Sequence, residues 1–153
     1  MSIIASAATA AAGMTSGVFD GSIFDTIRFP SDELKLRVTT GGVQVLEYVS
    51  EDRDGPPAHT HPWHEVEYVI DGSVEFLFDG RWIAAGPGAV QMLPAGTAHS
   101  VRVPAGTARL LMVTIGAPYD GFARDLAALY ADGPVAPAAV IDVAGRHGVR
   151  LAH

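Results

Sequence analysis

The sequence predicts an all-β domain, two antiparallel sheets arranged as a sandwich or barrel, with short helices at the C-terminal end. Three observations predict it. From Phe24 onward, short runs of β-branched and aromatic residues are cut by Gly and Pro at regular intervals. Two Asp-Gly pairs, Asp71-Gly72 and Asp79-Gly80, stand between such runs as hairpin signals. After Pro118 the apolar residues fall at helical spacing instead.

Taken in order, residues 1–22 read as an N-terminal tail or arm. The stretch "MSIIASAATAAAGMTSG" is small and apolar, but no positive charge precedes Arg28, so the basic start of a signal peptide is missing. It is too short and too rich in Ala, Ser and Thr to span a bilayer. A cytoplasmic location is expected. Residues 23–117 read as the β-domain. "VQVLEYVS" alternates, with Val43, Val45 and Val49 on one parity. "EVEYVI", "SVEFLF", "RWIAA", "AVQML", "HSVRV" and "ARLLMVTI" follow as further strands. Residues 118–153 read as a helical extension on the outside of that domain. Phe122, Leu126, Leu129 and Tyr130 share a helical stripe with Asp120 as N-cap, and "PAAVIDVAGRHG" makes a second helix stopped by Gly148.

Composition narrows the function. The chain has 153 residues, 48% hydrophobic, which suits one domain with a real core. The formal charge of −7 and a single lysine, Lys35, argue against nucleic acid and against an anionic membrane surface. With no cysteine, disulfides and thiolate chemistry are excluded, and any metal must be held by His, Asp or Glu.

Such residues cluster in "HTHPWHEVE". His59 to His64 holds three of the chain's six histidines, where a random window of that length would hold about 0.2. In a strand, His59, His61, Glu65 and Glu67 share one face, and His64 points the other way. A helical grouping of His61, His64 and Glu65 is rejected, because Pro56, Pro57 and Pro62 break helices and "EVEYVI" is β-rich. His99 opens a later strand after the turn in "MLPAGTAH". Three imidazoles and a carboxylate converging inside a barrel suit one divalent transition metal ion, Fe, Mn, Ni, Co, Cu or Zn. The competing reading is a hydrogen-bonded structural cluster.

At these residues the chain resembles the cupins. The first cupin motif, G-x5-H-x-H-x3,4-E-x6-G, is matched by His59, His61, Glu65 and Gly72, with Gly55 two positions too close. The second, G-x5-P-x-G-x2-H-x3-N, is matched by Gly88, Pro94, Gly96 and His99, with Val103 in place of the terminal Asn. The resemblance implies a double-stranded β-helix, or jelly-roll barrel, with His59, His61, Glu65 and His99 as metal ligands. The region after the barrel, ending in Arg146-His147-Gly148, is similar to the small single-domain group called quercetin-dioxygenase-like.

Glu67 is the outlier of the inward face, since an unpaired carboxylate inside a barrel is costly. It is a candidate catalytic acid or base together with Glu65; otherwise it sits solvated or paired near the mouth. Trp63 and Trp82 read as packing or interface residues, Met92 and Met112 as core, and His64, His147 and His153 are given no role. Tyr48, Phe76 and Phe78 are candidates to line the barrel. Three functions are compatible with these residues. One is a metal-dependent dioxygenase taking O2 and a small enolic or phenolic substrate. Another is a non-redox cyclase, isomerase or dehydratase using the ion as Lewis acid, and the third is a non-catalytic small-molecule binder. A homodimer is expected, because small barrels must hide their edge strands.

Overall fold

The computed structural model describes residue 18 and residues 25–152, so the expected arm over 1–22 lies almost wholly outside the described residues. The chain forms β1 (Asp25–Arg28), β2 (Asp32–Thr40), β3 (Val43–Ser50), β4 (His59–Thr60), β5 (His64–Asp71), β6 (Val74–Phe78) and β7 (Arg81–Ala85). It continues through β8 (Val90–Leu93), β9 (His99–Arg102), β10 (Ala108–Ile115), helices α1 (Tyr119–Tyr130) and α2 (Pro137–Arg146), and β11 (Arg150–Leu151). Two antiparallel sheets result, one ordered β1-β2-β3-β10-β5-β8 and the other β11-β4-β9-β6-β7. They face each other as a jelly roll, and their hydrogen-bond ladders do not join into a closed barrel. No helix among the described residues is long and apolar enough to cross a membrane.

The two Asp-Gly pairs behave differently. Asp79-Gly80 closes a true hairpin between β6 and β7, and both residues take positive φ, 50° and 70°, as a tight hairpin turn requires. Asp71-Gly72 does not. Strand β5 pairs with β10 and β8, while β6 pairs with β7 and β9, so here the chain crosses from one sheet to the other. Only Gly72 has positive φ at this crossing, and a Cβ there would stand 2.5 Å from the Thr107 carbonyl oxygen. The glycine thus serves a close approach of backbones, not a hairpin.

Burial also corrects the expected faces. On β3 the buried side chains are Gln44, Leu46 and Ser50, and the valines of the other parity are half-buried. On β8, Gln91 and Leu93 point in, which leaves Met92 65% exposed; the alternation of a strand overrides its apolar character. Met112 is in the core as expected, with Ile27, Leu34, Leu36, Leu46 and Ala123 of α1. Each of the Ile, Leu and Met side chains contributes about 1.5–3 kcal/mol by burial.

The C-terminal helices do not clamp the outside. Ala123 packs into the core and Phe122, Leu126, Val140 and Ala144 line the cavity, so α1 and α2 form part of its wall. Asp120 is not the N-cap, because the helix starts at Tyr119 and Pro118 offers no capping side chain. The cap comes from the sheet: Oε1 of buried Gln44 accepts the backbone N–H groups of Tyr119 (2.8 Å) and Asp120 (3.1 Å), and its Nε2 donates to Asp120 Oδ1 (2.7 Å). His147, at the end of α2, meets Asp125 Oδ2 of α1 at 2.8 Å and so ties the helices together. His153 lies outside the described residues.

Candidate functional site

Period-two alternation through His59, His61, Trp63, Glu65 and Glu67 aims five side chains at one cavity of about 470 Å³ between the sheets. His99 joins them because β9 runs antiparallel to β4, with His59 directly opposite His99. Gly55 lets the segment before β4 lie close against β9, since a Cβ there, at φ 69°, would collide with the Val101 carbonyl oxygen.

His61, Glu65 and His99 form the tight group. All three are buried, and their candidate ligand atoms lie within 4.8 Å of one another. His61 Nε2 is 3.4 Å from Glu65 Oε2. His59 stands at the rim, half-buried, its ring 4.5 Å from that of His99 and 6.0 Å from that of His61. The three imidazoles share one device. Each Nδ1 lies 2.9 Å from a backbone carbonyl oxygen, of Pro57, Trp63 and Thr97 respectively. A carbonyl only accepts, so Nδ1 carries the proton and Nε2 keeps its lone pair. Burial lowers the pKa of His61 and of His99 to about 4 and lowers that of His59 as well, so the rings are neutral at pH 7.

Two observations bear on whether these residues suit a divalent ion. His61 Nε2 is buried with no hydrogen-bond partner, and three neutral imidazoles with a carboxylate are the donor set such an ion takes. The residues present therefore fit. Burial pushes Glu65 up to about 7 in the metal-free chain, against the pull of the Trp63 indole. That indole donates from Nε1 to Glu65 Oε2 at 3.0 Å, and its ring stacks on His61 at 4.4 Å. Trp63 is thus built into the site, not merely packed beside it. Its odd parity with His61 and Glu65 was the available signal.

Glu67 is 3% exposed and Oε2 has no partner. Burial first, then the Glu65 charge, hold its carboxyl well above the usual range. His64 points away as expected, exposed, with Nδ1 accepting the Ala95 N–H at 3.2 Å. Of the candidate lining residues Tyr48 reaches the cavity, while Phe76 is in the core and Phe78 is exposed. Trp82 is also exposed, with the Arg102 guanidinium 4.1 Å above its ring. Asp32 and Tyr119 line the cavity and carried no sequence signal, because they reach it from β2 and α1.

Residues 46–115 match the family described as the cupin domain. Over 79 residues the chain is 35% identical to quercetin 2,3-dioxygenase of Bacillus subtilis (strain 168); the match covers 44% of this chain and only 23% of that enzyme. Among solved structures, KdgF from Halomonas sp. is similar at a TM-score of 0.61 and 17% identity, over 69% of this chain and 99% of that one. A predicted oxalate decarboxylase from Thermotoga maritima is similar at 0.57 and 17% identity, over 65% and 98%. At these identities the likeness to the solved structures is one of fold.

Proposed function

We propose, from the match of residues 46–115 to the cupin domain family, a metal-dependent dioxygenase acting on a small enolic or phenolic substrate. One divalent transition metal ion would be held by His61, Glu65 and His99, with His59 as the fourth ligand from the rim. The observation that carries this reading is the set of neutral imidazoles with free Nε2 lone pairs around a buried carboxylate. The identity to a quercetin dioxygenase supports the oxidative branch.

An ion bound there supplies Lewis acidity toward an enol or phenol oxygen and, if redox-active, electrons for chemistry with O2. The chain's own residues do the rest. Trp63 holds Glu65 in place by its indole N–H and fixes the His61 ring by stacking. Glu67 in its ionised form, with Oε2 free, would accept the hydroxyl proton of the substrate; Glu65 is the alternative acceptor. Phe122 and Leu126 give the cavity an apolar wall on the helix side.

A second reading, a non-redox cyclase, isomerase or dehydratase, is favoured by the same Glu67, since a buried acid beside a Lewis-acidic ion suffices for proton shuffling. Oxygen uptake decides between them. The purified chain, loaded in turn with Fe, Mn, Ni, Co and Cu, is given quercetin and simpler phenols and enols in an oxygen electrode. Metal-dependent O2 consumption is expected. Turnover with zinc under anaerobic conditions would overturn the dioxygenase and establish the second reading.

A further inference from the structure

All ten lysine and arginine side chains of this chain lie among the described residues, and none lines the cavity. Several are paired on the outer surface, among them Arg28 and Lys35 with Glu33, Arg102 with Glu75 and Arg124 with Asp25. The carboxylates, in contrast, also face inward. Besides Glu65, the cavity holds Glu67, whose buried Oε2 has no partner, and Asp32, whose Oδ1 accepts the Tyr48 hydroxyl at 3.1 Å.

Asp32 is set among aromatic rings. Phe29, Tyr48 and Tyr119 pack on one apolar cluster, and the Phe29 ring meets that of Tyr130 edge-on at 6.4 Å. All four rings line the same cavity as Asp32. Aromatic faces carry negative potential and attract a cation, more so when water is excluded, and a carboxylate among them adds the counter-charge. An anion at the same place meets repulsion from both and finds no lysine or arginine.

The geometry points to an amine subsite: the Asp32 end of the cavity takes the protonated amine or quaternary ammonium of a ligand whose apolar body extends past Tyr119 toward the histidines. The substrate of the proposed reaction is then an amine-bearing phenol or enol. This deepens the reading above and rests on the cavity being its substrate site, but not on the ion or on O2.

Three probes with one apolar body test it: 1-naphthylmethylamine, 1-naphthalenemethanol and 1-naphthylacetate, titrated calorimetrically at neutral pH into the full chain, as purified and again after chelation. The amine is expected to bind at least about tenfold more tightly than the alcohol in both preparations, with the acetate weakest after chelation. Asp32→Asn is expected to remove the advantage of the amine and leave the affinity of the alcohol unchanged. Equal binding of amine and alcohol, binding of none of the three, or an amine preference that survives in a folded Asp32→Asn chain overturns the subsite. The ranking on the unaltered chain stands by itself if the variant does not fold. A ranking that persists in the chelated chain, whatever the metal and oxygen assays give, separates failure of the subsite from failure of the proposed reaction.

Discussion

Trp63 links the two halves of the candidate site, because one side chain both donates to Glu65 and stacks on His61. Trp63→Phe keeps an apolar ring and removes the donor, so metal affinity is expected to fall about 10–100-fold in competition with a chelator; unchanged affinity would remove the indole from the account. The titrating groups make a second prediction for the metal-free chain. His61 and His99 titrate near 4 when folded against an ordinary 6.5, so they add stability as pH rises through that window and nothing further above it. Glu65 has the opposite sign. Its contribution is full below 4.5 and is lost as pH rises through about 7, where the unfolded chain has released a proton that the folded chain retains; Glu67 acts in the same direction. Above about pH 6.5 only the carboxylates still act, so chelated protein should melt several degrees lower near pH 8.5 than near pH 6.5. Added zinc should stabilise most at the higher pH, where its carboxylate ligand ionises most readily. Equal melting temperatures without metal would contradict these directions. The residues His59 to Glu67 were legible in the sequence because strand alternation is local. Asp32 and Tyr119 were not, because only the packing of β2 and α1 brings them to the cavity.

The elements that position the site depend on contacts between distant segments. Gln44 caps α1 from β3 and so fixes where Tyr119 enters the cavity. Gln44→Ala leaves two helix-start N–H groups without that acceptor and is expected to cost about 1–2 kcal/mol in denaturant unfolding. A loss within error of zero would mean that α1 is held by Ala123 and its apolar neighbours alone. The glycines give a paired comparison. Gly72→Ala forces a Cβ against the Thr107 carbonyl at positive φ, while Gly80→Ala meets open space at positive φ. The first should cost at least about 2 kcal/mol and the second about 1 kcal/mol; equal losses would mean that the crossing at Gly72 relaxes freely. This also marks how far element-level reading reaches. Asp79-Gly80 and Asp71-Gly72 are the same dipeptide between similar runs, and only the non-local pairing of β5 with β10 makes one a hairpin and the other a crossing. The misplaced cap at Asp120 has the same origin, because an N-cap supplied by a strand 76 residues away leaves no local pattern.

At the scale of the whole molecule, the edge strands β7 and β8 border a shallow apolar hollow where Phe78, Ile83, Val90 and Met92 are exposed. Clustered apolar exposure beside sheet edges is the kind of surface that proteins cover. A homodimer is the expected state, with twice the 16.0 kDa chain mass by light scattering. Met92→Glu should shift it toward monomer; a monomeric unaltered chain would contradict the assignment of this face. The lysines and arginines kept out of the cavity and the carboxylates turned into it separate charge between surface and interior. That arrangement leaves the histidine cluster as the place where imidazoles would hold a metal cation. The central claim is therefore tested most directly by elemental analysis of the purified chain, with and without His61→Ala and His99→Ala together. The account predicts about one divalent transition metal ion per unaltered chain and less than about a tenth of that in the double variant. An unaltered chain that retains no ion when dialysed against Fe, Mn, Ni, Co, Cu or Zn, or a double variant that retains as much, would contradict it.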